Sequence, residues 1–255
     1  MELRILGSDG GASLHHRNVS LLVDGRLALD AGSLACGLDL EEQGRVAVVL
    51  LTHAHMDHVA DLGAITDVRA QQGGPTLPIR GLPETVAALE AHFFNDVLWP
   101  DFRRIPAGDG PTIELLPLAV REPFDAAGFR VTAIPVDHAV PACGFLVDDG
   151  RDALGYTGDT GPTEEIWDLL RETRNLRAVV TEVSYPDREA ELARISGHLT
   201  PATFARQLER LSGGTEPRVL VYGLKPVHAA EIVAELERLE LPRVEVLAAG
   251  RRFTW

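Results

Sequence analysis

The seven residues Thr52 to His58, THAHMDH, place His53, His55, Asp57 and His58 within one short turn of chain. Imidazole and carboxylate are the donors that suit zinc, iron, manganese and cobalt. The four groups follow directly on an apolar run, VAVVLL at 46–51. A strand ending near Leu51 would fix the start of the turn, and the turn can aim these side chains into one cavity. The bland alternative is four unrelated polar residues on a surface loop, and the compact His-x-His-x-Asp-His pattern after an apolar strand argues against it. The chemistry such a site offers is hydrolytic. A metal lowers the pKa of water from ~15.7 to ~7, which supplies a nucleophile at neutral pH.

The elements that must hold this turn can be read from periodicity. NVSLLV and RLALD flank Asp24-Gly25, a hairpin turn signal. VAVVLL reads as a buried strand, residues 57–70 as helical, LPIRG as a short strand, and PETVAALEAHFF as a helix with Pro83 in its first turn. NDVLWPDFRRIP, 95–106, reads as a loop near a cleft, where Trp99 and Phe102 are candidates to stack on a base; core packing and a dimer contact are the competing readings. In the second half FRVTAIPV and CGFLVDDGRDALGYTGD are strands with a turn at Asp149-Gly150. Strands and helices then alternate: PTEEIWDLLRET, RAVVTEV, TPATFARQLERL, RVLVYG and VHAAEIVAELERLEL. Thr200 is a natural N-cap and Pro201 a natural first helical residue. Phe204, Leu208 and Leu211 share one face, as do Ile232, Leu236 and Leu239. No linker divides the halves, so the expectation is one α/β domain over 1–255, two packed sheets with helices on the outer faces.

Composition narrows the partners. Hydrophobic residues make up 45% of the 255, enough for a sizeable core. No apolar run approaches the roughly 18 residues of a membrane span, and the N-terminus has no basic region followed by an apolar stretch. Cys36 and Cys143 are too few for a disulfide framework and read as core fillers. A cytoplasmic protein is expected. The net charge of −14 weakens the case for long nucleic acid, while a metal can supply positive charge locally for a small anionic substrate.

The histidine turn resembles that of the metallo-β-lactamase superfamily. The resemblance implies an αββα sandwich with metals at one edge and two further ligands: His138 in VDHAVP and Asp159 in YTGDTG. His53, His55 and His138 would form a first metal position. Asp57 and His58 would form a second, bridged to the first by Asp159. More narrowly, GSDGG, LTHAHMDH, HFFNDVLWPDF, GYTGDTGPTEEIW, SGHLTP and GLKP together resemble the bacterial class II 3′,5′-cyclic-nucleotide phosphodiesterases. TEVSYP and GHLTP are also similar to stretches of tRNase Z, in which the residues corresponding to Glu182 and His198 act as a pair in proton transfer. Histidine titrates in the range a leaving alkoxide needs, and Glu182 would hold it cationic. Lys225 in GLKP is a candidate phosphate contact, against the more ordinary reading of a solvated lysine; His15, His16 and His92 read as surface or packing histidines. The glycine-rich GSDGG lacks the Lys-Ser/Thr of a phosphate-binding loop and reads as a strand-end turn.

One departure stands out. In both families the strand before LKP ends in a histidine that ligates the second metal, and here Gly223 holds that position. Either the second metal binds weakly, or water fills the vacancy, or His228 at the start of the next helix reaches in, though His228 reads as surface. The expected cofactor is therefore a divalent metal, zinc first, manganese or iron next, with one tight position and a second weaker one. The expected activity is metal-dependent hydrolysis of a 3′,5′-cyclic nucleotide to a 5′-nucleotide, with Asp57, Glu182 and His198 catalytic. The rivals are hydrolysis of a thioester or lactone on the same scaffold, and a degenerate metal- and nucleotide-binding protein with weak turnover. A tRNA 3′-end nuclease fits less well, given the net charge and no evident basic arm. A homodimer is compatible with the sequence.

Overall fold

A computed structural model describes all 255 residues, Met1–Trp255. The first sheet takes β1 (Glu2–Gly7), β2 (Ser20–Val23), β3 (Leu27–Leu29), β4 (Val48–Leu50) and β5 (Leu77–Gly81). A two-stranded ribbon, β6 (Pro106–Ala107) and β7 (Gly110–Pro111), precedes an edge strand of the first sheet, β8 (Ile113–Pro117). The second sheet takes β9 (Phe124–Ala126), β10 (Phe129–Val136), β11 (Ala142–Asp148), β12 (Ala153–Tyr156), β13 (Leu176–Glu182), β14 (Arg218–Tyr222) and β15 (Val244–Val246). The chain then returns to the first sheet through β16 (Arg252–Thr254). The spatial orders are β16-β1-β2-β3-β4-β5-β8 and β15-β14-β13-β12-β11-β10-β9.

Each sheet changes from antiparallel to parallel pairing partway across, at β3 to β4 in the first and β12 to β13 in the second. The antiparallel portions are closed by the turns expected. Asp24 and Gly25 both take positive φ, 46° and 68°, in the three-residue turn Asp24–Arg26 that joins β2 to β3, where Arg26 N donates to the Val23 carbonyl at 3.1 Å. The central parallel strands β4, β13 and β14 are buried on both faces along most of their length, because one face meets the other sheet and the second meets helices. Leu21, Leu29 and Leu50 of the first sheet pack with Val131, Phe145, Leu154, Val180 and Leu220 of the second in one shared core. Truncating any of these to Ala would cost about 2–5 kcal/mol.

The helices lie outside, giving the αββα order. α1 (Leu40–Arg45), α2 (Met56–Val59), α3 (Leu62–Gln72) and α4 (Pro83–His92) belong to the first half. Leu62, Ile65 and Leu89 cover Val49, Leu51 and Ile79. On the second sheet lie α5 (Glu165–Glu172), α6 (Ala190–Ser196), α7 (Pro201–Leu208) and α8 (Ala229–Arg238). Thr200 caps α7 in a capping box with Thr203, and Phe204, Ile232 and Leu236 are buried. Leu239 is 37% exposed because α8 stops one residue before it.

Two readings of the sequence need correction here. The single helix expected over 57–70 is two, because the backbone of Ala31 intervenes: its N–H bonds to His58 O at 2.7 Å, and its carbonyl accepts from Asp61 N at 2.9 Å. Cys143 fills core space, but Cys36 is exposed on the loop before α1, with its N–H bonded to the Asp61 carboxylate.

Candidate metal centre

Parallel strands converge their C-terminal ends on one edge of a sheet, where ligands of α/β folds bind. Here β3 delivers Asp30, β4 delivers the turn from Thr52 to His58, β12 leads to Asp159, β13 ends at Glu182, and β14 leads to Gly223. His138 follows β10. The ligating atoms of His53, His55 and His138 all lie within 4.8 Å of one another, and so do those of His53, His58 and Asp159. A third such group joins His138, Asp159 and His198.

Hydrogen bonds fix which nitrogen of each ring is free. His138 Nδ1 is 2.8 Å from the Gly197 carbonyl, which can only accept, so Nδ1 carries the proton and Nε2 turns toward the cluster. His138 Nε2 lies 3.2 Å from His55 Nδ1. The Thr52 hydroxyl donates to Asp30 and accepts from His53 Nδ1 at 3.0 Å. His53 Nε2 is then left aimed inward, buried and without a hydrogen-bond partner. An orphaned buried ring nitrogen beside two further imidazoles is what a divalent ion satisfies.

The close approach of Gly197 to His138 requires glycine. Its φ is +67°, and a Cβ there would lie 2.7 Å from His138 Cα. This explains the glycine of SGHLTP.

Asp30, which the sequence reading did not single out, anchors the cluster from below. It is fully buried and takes φ +57°. Its carboxylate accepts from Thr52 N at 2.9 Å, from the Thr52 hydroxyl, from Tyr156 OH at 2.6 Å and from His58 Nδ1 at 2.8 Å. His58 Nε2 therefore faces Asp159 Oδ2 at 3.3 Å. Burial disfavours the His58 imidazolium, but Asp159 and Asp30 outweigh it and raise the ring well above the usual histidine range. Burial likewise opposes the Asp159 carboxylate, and His58 reverses this and holds it well below the usual carboxylate range. Each thus favours the charged form of the other, and a metal taking His58 Nε2 would displace the proton there. His53 shows the opposite behaviour: burial first, then the neighbouring His58, keep it neutral. The signal that could have found Asp30 is its place at the end of RLALD, a strand leading into the same edge; alone, an Asp before Ala-Gly reads as a turn.

Glu182 and His198 meet as the sequence reading paired them. His198 Nδ1 donates to Glu182 Oε1 at 2.8 Å, and that oxygen also accepts from Thr160 N and Leu199 N. Both residues are buried, and the His198 ring stands 5.0 Å from that of His138. Burial pushes the His198 imidazolium down, and Glu182, aided by Asp159, outweighs it, leaving the ring above its ordinary value.

The second metal position is less complete. Asp57 belongs to none of the three donor groups. Its carboxylate faces Lys225 Nζ at 3.7 Å instead. Gly223 is buried with φ +83°. His228 lies apart, its Nδ1 3.3 Å from an Arg188 guanidinium nitrogen and its ring beside Tyr185. Tyr222, the neighbour of Gly223, donates to Asp159 Oδ1 at 3.2 Å; the sequence reading missed this contact.

The two aromatic candidates separate. Phe102 is 3% exposed and packs edge-on with Phe94 in the core between α3, α4 and the first sheet, so it cannot stack on a base. Trp99 is exposed and lays its indole against Gly63 of α3.

Two mixed sheets between helices, with imidazole and carboxylate donors gathered at the strand ends, define a metallo-hydrolase scaffold of the β-lactamase type. A family model described as the beta-lactamase superfamily domain matches residues 27–222, and the chain belongs to the metallo-β-lactamase superfamily. It is 27% identical over 225 residues to a 3′,5′-cyclic-nucleotide phosphodiesterase of Aliivibrio fischeri, covering 72% of this chain and 66% of that relative, just under two thirds of its length. It is 28% identical over 263 residues to a ribonuclease Z of Bradyrhizobium sp., covering 80% of this chain and 84% of the relative. The crystal structure of unliganded yeast PDE1 superposes with a TM-score of 0.83 at 19% identity over 98% of both chains, a likeness of fold.

Proposed function

We propose that this protein is a metal-dependent phosphodiesterase acting on a small cyclic nucleotide. The observation that carries the reading is the buried Glu182–His198 pair set against the metal donors, with His198 Nδ1 occupied at 2.8 Å and Nε2 left for a substrate. When bound, a divalent metal held by His53, His55, His138 and Asp159 supplies Lewis acidity that makes water nucleophilic at neutral pH. Zinc suits three imidazoles and a carboxylate. Water adds to phosphorus, the bond from phosphorus to the 3′ oxygen breaks, and the product is a 5′-nucleotide. His198 gives its Nε2 proton to the departing 3′ oxygen, and Glu182 holds the ring in place and stabilises its charge. A thioester expels a thiolate, which has less need of that proton than an alkoxide, and this favours a phosphodiester over the thioester reading.

The ribonuclease Z relatives favour a second reading, cleavage of an RNA phosphodiester. The chemistry is the same, and the net charge of −14 argues for the smaller substrate. The test is a substrate panel with metal-replete protein: bis(p-nitrophenyl) phosphate, 3′,5′-cyclic nucleotides, a precursor tRNA, and thioesters. Cyclic nucleotide turnover is expected. Ready thioester cleavage with no phosphodiester cleavage would refute the substrate class. Cleavage of precursor tRNA alone would select the second reading.

A further inference from the structure

Of the chain's 24 basic residues, Lys225 is the single lysine; all the others are arginine. This one ammonium group sits at the metal centre, 3.7 Å from Asp57. An ammonium is a compact point charge, whereas guanidinium is a broad planar fork.

The surroundings explain what that charge does. A second metal would need Asp57, His58, Asp159 and a donor from position 223. Position 223 cannot supply one. Its φ of +83° disfavours any side chain, and a Cβ would lie 3.2 Å from Glu182 Cβ and 3.4 Å from Ser184 Oγ. His228 is engaged with Arg188 and Tyr185. Asp159 Oδ1 accepts from Tyr222. Asp57, left without a metal-binding partner set, faces Lys225. The Lys225 side chain is 26% exposed, so it is not sealed from solvent.

We propose that Lys225 serves as the second cation of this site, so that the chain works with one metal and one ammonium, the metal on the three-histidine side and Lys225 on the Asp57 side, where it also binds a phosphate oxygen. The metal part of this proposal is independent of the substrate; the phosphate part rests on the phosphodiesterase reading. A fixed positive charge beside Asp57 repels a dication from the same spot. Lys225 is also the only amine besides the chain's N-terminus, so it can be followed chemically without mutation.

The experiment uses the full chain, stripped with chelator and titrated with Zn²⁺, with bound metal counted after gel filtration. The wild-type protein should hold one tight equivalent. Lys225→Gln should keep that equivalent and bind a second roughly tenfold or more tightly than the wild type does, because the repelling charge is gone. Lys225→Arg, which keeps the charge, serves as the control for folding and should not gain the second ion. Two wild-type equivalents of similar affinity, or a second ion unaffected or weakened in Lys225→Gln, would overturn the proposal. In the unmutated zinc-loaded protein, inorganic phosphate should protect Lys225 from acetylation by an N-hydroxysuccinimide ester while leaving the N-terminal amine as reactive as before. Absence of that protection would overturn the phosphate contact. Failure of the substrate panel with the metal counts as expected would instead remove the phosphodiesterase reading and leave the one-metal site standing.

Discussion

Asp30→Asn isolates the contribution of one buried charge to both the fold and the metal centre. Asparagine tolerates the positive φ of this position, so the backbone is not the variable. The wild-type carboxylate satisfies donors on both oxygens: Thr52 N on Oδ1, Tyr156 OH and His58 Nδ1 on Oδ2, and the Thr52 hydroxyl between them. An amide offers one oxygen only, and its NH₂ must then face either the Thr52 amide or the Tyr156–His58 pair. Either way a buried donor meets a donor. A hydrogen bond to a charged group is worth about 1.5–3 kcal/mol, and the stranded partner adds about 1–3 kcal/mol. A loss of roughly 3–5 kcal/mol follows, at least a 6 °C fall in Tm for a chain of this size at about 2–4 °C per kcal/mol. His58 also loses the partner that fixes its tautomer, which should weaken zinc by about 10–100-fold. Urea unfolding of the chelated protein measures the first effect, and competition with a chromogenic chelator measures the second. An Asp30→Asn protein that unfolds within about 0.5 kcal/mol of wild type and binds zinc equally would show that the network beneath the metal centre does not act as described.

Three further outcomes are expected. His198→Ala should leave zinc content unchanged and lower turnover of cyclic nucleotides by roughly 10²–10⁴-fold, with a much smaller loss for p-nitrophenyl esters, whose leaving group departs without a proton; equal losses would make His198 a binding residue. Glu182→Gln should move the high-pH limb of kcat to lower pH, because Glu182 raises the His198 imidazolium against burial, and without it the proton is lost sooner; an unmoved limb in a pH profile would refute the pairing. Gly223→His should restore no second zinc and should destabilise the chain by about 1–3 kcal/mol from the left-handed backbone alone, read by urea unfolding and metal counting; a stable variant with two tight zinc ions would refute the argument.

What could be read from the sequence divides along physical lines. The histidine turn was legible because four ligand-type residues fall within seven positions, and no long-range information is needed to see them. The pairing of Glu182 with His198 came through resemblance, since sixteen positions and a helix separate them and only the fold brings them to 2.8 Å. Asp30 and Tyr222 were invisible because their partners, Tyr156 and Asp159, lie 126 and 63 positions away. Phe102 was misplaced because an aromatic in an irregular segment carries no period to show which way it faces; tertiary contact with Phe94 decided it. The break between α2 and α3 depends on a backbone amide from Ala31, which no local propensity encodes. The strand β16 was missed for want of length: three residues, two of them exposed, give no alternation to detect.

That short strand has a consequence for how the molecule is made. Met1 and Trp255 exchange backbone hydrogen bonds, each 3.1 Å, between residues 254 apart in sequence. During synthesis β1 is made well before β16, and its outer row of amides and carbonyls waits for a partner. At about 5–20 residues per second the wait is on the order of ten to fifty seconds. An unpaired apolar edge is the part of a sheet most prone to stick to other chains. Arg252 to Thr254 thus seal that edge, and a chain cut short before β16 would carry all its candidate metal ligands with the β1 edge of its first sheet still adhesive.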